Sequence, residues 1–244
     1  MNIEKTRLER KDTANYFVGN VSASLSMYNR SAGEKDPVNL LGFNSGADFG
    51  YISKNHVYML IGKFDYLKIN ENVFLSTGYV HFRTSFNHNE TIHPEFFTQY
   101  QYDNFRGLDP RLLTGGAIRY RLIKSKSINI TLSTGAMLEY EQWQHPYEAN
   151  NFQQVTLIKS TSNISTRWKI KEHIDLNTIF YFQTGYDNSI KAFRHRYSGE
   201  ANLLVKVTER LSLKTTFTGN YENRPIVPIT PFIYSLTNGF QINL

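Results

Sequence analysis

Apolar and polar residues alternate with a period of two along most of this chain. Residues 128–143 read INITLSTGAMLEYEQW. In an extended strand, Ile128, Ile130, Leu132, Thr134, Ala136, Leu138 and Tyr140 share one face, and Asn129, Thr131, Ser133, Gly135, Glu139 and Glu141 share the other. The same pattern recurs at 17–28, 43–52, 56–66, 73–86, 95–102, 112–122, 155–170, 174–186, 193–207, 211–221 and 234–244. Turn residues bound each segment, so the pattern predicts about twelve strands. Many of these runs exceed the roughly 5–6 residues of an ordinary strand. They match the roughly 9–11 that a tilted strand needs to cross a bilayer.

The connections sort into two kinds that alternate along the chain. Short ones are Ser53-Lys54-Asn55, Lys124-Ser125-Lys126, Lys171-Glu172-His173 and Thr208-Glu209-Arg210. Longer ones fall at 30–37, 144–152, 187–192 and 222–232. Short turns at one rim and long loops at the other are the pattern of an up-and-down outer-membrane barrel. The connection at 87–94 breaks the rule, because it should be short and spans eight positions. The expected fold class is all-β: a transmembrane, antiparallel, up-and-down β-barrel over residues 16–244, preceded by a polar N-terminal tail at 1–15.

A soluble barrel binding an apolar ligand would also alternate. The length of the strands favours lipid. So do the Thr and Gly mixed into the apolar faces. Aromatic residues near the strand ends point the same way: Tyr16, Phe17, Phe86, Tyr140, Trp143, Trp168, Tyr186, Phe193, Tyr221, Phe232 and Tyr234. The last segment, YSLTNGFQINL, carries Phe240, Ile242 and Leu244 on one face, with Leu244 where outer-membrane strands commonly end in an aromatic.

Composition narrows the reading. The 17 Phe and 16 Tyr suit aromatic girdles. A mean hydropathy of −0.44 argues against a helical membrane protein but agrees with strands that turn one face to a polar interior. The absence of cysteine excludes disulfides, thiolate metal sites and Cys nucleophiles. The net charge of +6 is spread over turns and inward positions, so nucleic acid is not an expected partner. The opening MNIEKTRLERKDTANYF holds no apolar run, so a signal segment is expected upstream of Met1 if the destination is the outer membrane.

Charge concentrates on the polar faces in the middle of the chain. One strand presents Glu95, Gln99, Gln101 and Asp103, the next presents Arg111, Gly115, Arg119 and Arg121, and the third presents Glu139 and Glu141. His81 and Arg83 share a polar face earlier in the chain. Hairpin geometry then sets Asp103 against Arg111, Glu95 against Arg119 and Glu139 against Arg111. Buried charges must be paired, so the nine titratable residues among these (Glu95, Asp103, Arg111, Arg119, Arg121, Glu139, Glu141, His81 and Arg83) are expected to form a lumen charge network. Such a network either braces a filled interior or forms a constriction for small or anionic solutes.

The stretch from the aromatic Phe96 and Phe97 through Gln101, Tyr102, Arg106, Arg111, Gly115, Gly116, Arg119 and Tyr120, followed by Gly135 and Glu139, resembles a bacterial family of unknown function. Its members are often labelled salt-induced outer membrane proteins. The specific motif lies within residues 95–141, and the architecture extends over 16–244. The resemblance implies an outer-membrane β-barrel with no established activity. The family is exported, so the resemblance too leads to the expectation of a signal segment ahead of Met1.

The catalytic groupings that the sequence offers are weak. A lipase of this strand number needs a Ser–His–Asn set on adjacent strands. His195 lies between Arg194 and Arg196, and Ser198 falls on the opposite face. His81 as a general base, and His88 with Glu90 and His93 as a metal site, are weak readings for residues in a lumen and on a loop. The expected protein is therefore not an enzyme and needs no cofactor or metal. It is a structural protein or a small-solute channel of the outer membrane. Its partners are membrane lipids, the barrel assembly machinery during biogenesis, and small solutes or ions. The rival readings are a lipid- or lipopolysaccharide-modifying enzyme and a soluble ligand-binding barrel.

Overall fold

The computed structural model describes residues 15–30, 38–148, 150–208 and 211–242. The expected N-terminal tail up to residue 14, the connection at 31–37 and the terminal Leu244 lie outside them. The described chain is all-β, with no helix among these residues. Twelve strands run in order: β1 (Tyr16–Arg30), β2 (Val38–Ile52), β3 (His56–Ile69), β4 (Asn72–Phe86), β5 (Ile92–Asp103) and β6 (Leu108–Lys124). The second six are β7 (Ile128–Gln144), β8 (Phe152–Lys171), β9 (Ile174–Asp187), β10 (Ala192–Lys206), β11 (Leu211–Glu222) and β12 (Phe232–Ile242). Each strand pairs with its neighbours in the chain, giving a single up-and-down sheet ordered β1 to β12.

The strands are 11 to 20 residues long, as the alternation predicts. Two connections differ from expectation. The break at 87–94 is shorter than predicted, because β5 starts at Ile92. Between β3 and β4 the chain turns on Asn70 and Glu71 alone. Asn70 sits at φ 53°, a left-handed conformation that Asn tolerates better than most residues.

Contacts divide the chain into two compact units. The first comprises Met1–Asn89, Glu95–Gly115 and Glu139–Thr156, and the second Glu90–Pro94, Gly116–Leu138 and Leu157–Leu244. Within the first, Ile52 and Val57 form a small buried apolar cluster with Tyr16, Val18 and Met59 packed against it. Two glycines fit tight places. Gly107, at φ +77°, closes the β5–β6 turn, and a Cβ there would meet Gln144 O at 2.7 Å. Gln144 N donates to Gly107 O across the same gap. In the second unit, a Cβ on Gly135 would lie 2.0 Å from Gly116 O.

The burial pattern runs opposite to that of a water-soluble sheet. Along β7, Leu132 and Leu138 are exposed, while Ser133, Glu139 and Glu141 are at most 2% exposed. Along β6, Leu112, Ile118, Tyr120 and Leu122 are exposed while Arg119 is buried. Along β8, Ile158 is exposed and Lys159 is buried. On these three strands the apolar face is the open one, and the charged face is the covered one.

Candidate functional site

The buried face of the first unit holds a connected polar cluster. Glu139 and Glu141 are two apart on β7, so period-two geometry places them on one face with Trp143. Arg111 enters from the start of β6. Its Nε and Nη2 donate to Glu139 Oε1 at 2.8 and 2.6 Å, and its Nε lies 3.2 Å from Glu141 Oε1. Its Nη1 donates to Gln101 Oε1 on β5 at 3.0 Å. Gln101 Oε1 also accepts from Gln99 Nε2 at 3.2 Å, and Gln99 Oε1 lies 3.1 Å from His81 Nδ1 on β4. The result is a continuous polar chain from β4 to β7.

Trp143 closes one end of this chain. It is 1% exposed, its Nε1 donates to Glu141 Oε2 at 3.4 Å, and the Arg106 guanidinium stands 5.3 Å from its ring centroid. A guanidinium over an indole face adds to the packing of that layer. Glu95 lies further along β5 and is buried, with Ser85 Oγ donating to its Oε1 at 2.8 Å.

The expected site residues therefore fall as follows. Arg111, Glu139 and Glu141 meet, and His81 joins them through Gln99 and Gln101. Arg83 lies on the same strand face as His81, opposite Phe97. Arg119 is buried and Arg121 half-buried on the corresponding face of β6 in the second unit. Asp103 departs from the expected pairing with Arg111. Its Oδ1 accepts from Arg106 N at 3.2 Å and so caps the β5–β6 turn. A short polar side chain at a turn finds its own backbone before it reaches across a ladder.

A second charged cluster, in the second unit, is absent from the sequence-based expectation. Arg194 Nε donates to Asp187 Oδ2 at 2.7 Å, and Asp187 Oδ1 accepts from Ser189 N and Oγ at 2.8 and 2.6 Å. Arg196, buried, pairs with Glu222, directly opposite it on β11. Arginines at 194 and 196 share a strand face by parity, which is the signal that could have found them. His195, between them, takes the other face: its Nδ1 lies 2.8 Å from Thr184 Oγ1, and its ring stacks on Phe182 and Phe193. His93 Nδ1 lies 3.2 Å from Glu90 O, and His88 Nε2 lies 3.0 Å from Ser53 O. No cluster of three or more metal-ligating side chains occurs among the described residues.

A long-stranded, antiparallel, all-β sheet with charged residues on its covered face is the class that fold and site define. The chain belongs to the family described as "Protein of unknown function, DUF481", whose model matches residues 38–226. Among solved structures it is similar to a NanC porin, at 8% identity and a TM-score of 0.45, over 93% of this chain and 99% of that one. It is also similar to the copper transporter OprC, at 10% identity and a TM-score of 0.37, over 85% of this chain and 41% of that one. No curated protein matches the chain.

Proposed function

We propose that this protein is a non-enzymatic β-barrel of the bacterial outer membrane. In this reading the strands close on themselves, the open apolar face meets lipid, and the covered polar face lines a lumen. The lumen is braced by ion pairs and serves either a structural role or the passage of small solutes. The observation that carries the reading is the inverted burial along β6, β7 and β8. Leucine and isoleucine stand in the open while Arg119, Glu139, Glu141 and Lys159 are buried. Extended apolar faces are costly in water and favourable in hydrocarbon, whereas backbone groups crossing a bilayer must pair fully, as a closed sheet allows. Strands of 11 to 20 residues are long enough to span.

The site chemistry agrees with this reading. Glu139 and Glu141 are each tied to Arg111, and Arg194 and Arg196 to Asp187 and Glu222, an arrangement suited to filling or narrowing a lumen. Membrane lipids, the assembly machinery and small ions or solutes are the partners it implies. His195, which would be the base in a lipid hydrolase, is engaged with Thr184 and two rings on the open face. The test begins with folding into lipid vesicles, where the folded protein is expected to migrate faster than the boiled protein on a denaturing gel. A chain that folds as a monomer in detergent-free buffer would sink the membrane reading. Planar-bilayer recording then separates the two roles: ion current supports a channel, and silence from well-folded protein supports a structural part.

A further inference from the structure

The end of the sheet where β6 turns into β7 and β8 into β9 gathers lysines around an outward tryptophan. Trp168 is 43% exposed on the open face of β8, opposite Leu176 on β9. Just beyond it the ladder slips: Lys169 is opposite Asp175, but Lys171 is opposite Ile174. Ile170 is the extra residue of a β-bulge. Its insertion changes the parity of the strand, so Lys171 shares the face of Ile174 and hence of Trp168. Regular alternation would have put Lys171 on the covered face with Lys169. The neighbouring β6–β7 turn carries exposed Lys126, and Lys169 N donates to Ser127 O at 2.7 Å, which ties that turn to the end of β8. Lys124 precedes the turn, on the same face as the exposed Leu122 and Tyr120. The acidic groups nearby are Glu172, in the β8–β9 turn, and Asp175, across from Lys169. Lys124, Lys126 and Lys171, with Glu172 among them, thus stand at the foot of an apolar wall, while Lys169 and Asp175 face each other on the covered side.

We propose that this corner, built by the bulge at Ile170, binds the headgroups of anionic phospholipids in the leaflet at that end of the barrel. The proposal rests on the membrane reading above. Charge complementarity selects the occupant. Trp168 sits where a ring belongs at a membrane–water boundary, and Lys171 and Lys126 lie one step further out, at the level of lipid phosphates. Clustered lysines beside a bilayer favour anionic over zwitterionic lipids.

The chain has two tryptophans, and Trp143 is buried, so lipid-borne quenchers report chiefly on Trp168. The protein is folded into phosphatidylcholine vesicles holding a minor, fixed fraction of lipid brominated near the top of its acyl chain. The brominated lipid is either phosphatidylglycerol or phosphatidylcholine. Quenching is expected to be stronger with brominated phosphatidylglycerol. The double variant K126Q/K171Q should lose the difference, and K126R/K171R should keep it. Removing the first lysine should change relative lipid affinity on the order of fivefold. Equal quenching by the two lipids in the unmodified protein would overturn the proposal and leave the membrane reading standing. Quenching by neither would overturn both. Gel mobility confirms that each variant folds before it is compared.

Discussion

Arg111 engages two carboxylates that are almost fully covered, Glu139 at 1% and Glu141 at 2% exposure. Removing one member of a buried ion pair costs roughly 3–5 kcal/mol, because the remaining charge stays buried without its counterpart. Arg111→Met should therefore lower the urea midpoint for unfolding from vesicles sharply. Adding Glu139→Gln should restore part of the loss, and a double variant no more stable than the single one would remove this account. Backbone approach sets a second requirement. An alanine at 135 would place its Cβ 2.0 Å from Gly116 O and 2.5 Å from Ala117 Cα, where only main chain could yield. Gly135→Ala should cost about 1–3 kcal/mol or more as overpacking. Gly239→Ala, with nothing within 4 Å, should stay within about 0.5 kcal/mol. The same urea titration reads both. The Arg111–Glu139 contact was legible in the sequence, because parity put both on polar faces of consecutive strands. Asp103 was misjudged, because its local turn competes with the ladder. Arg196 and Glu222 were missed although the parity of 194 and 196 marks a charged face, because their meeting rests on the β10–β11 register.

At the scale of the element, the open face of β7 separates the membrane reading from a soluble one. Leu138 is 48% exposed. On a soluble surface, Leu138→Arg would change stability by no more than about 0.5 kcal/mol. On a lipid-facing strand, an arginine costs about 2–4 kcal/mol near the bilayer midplane. The variant is expected to fold into vesicles with much reduced yield, measured as the fraction of fast-migrating protein. An unchanged yield would count against lipid contact at this face. The strands themselves were readable nearly throughout. Differences lie at their ends: β2 begins at Val38 rather than near 43, and β5 at Ile92 rather than near 95. Alternation fades where Asn, Gly and charged residues accumulate, while main-chain pairing continues through them, since hydrogen bonding does not depend on side-chain polarity.

At the scale of the whole molecule, the proposed lumen makes Trp143 a test of whether passage is limited by the Arg111 layer. Trp143 is the largest side chain among the fully buried ones, and Arg106 lies over its ring. If solutes cross there, Trp143→Ala should raise single-channel current in planar bilayers above that of the unmodified protein, at a stability cost of about 3–5 kcal/mol. Unaltered current in a folded variant would place the limiting layer elsewhere. Period two is a local property, so the order of residues alone was enough to specify an all-β chain of about twelve strands with one apolar and one charged face. Beyond the Arg111–Glu139 pair, which charges meet was decided only in the folded sheet: Arg111 also with Glu141, Asp103 with its own turn, Arg196 with Glu222. The same holds for the bulge that turns Lys171 outward beside Trp168. These depend on register, and a slip of a single residue, invisible to any local pattern, exchanges the two faces of a strand.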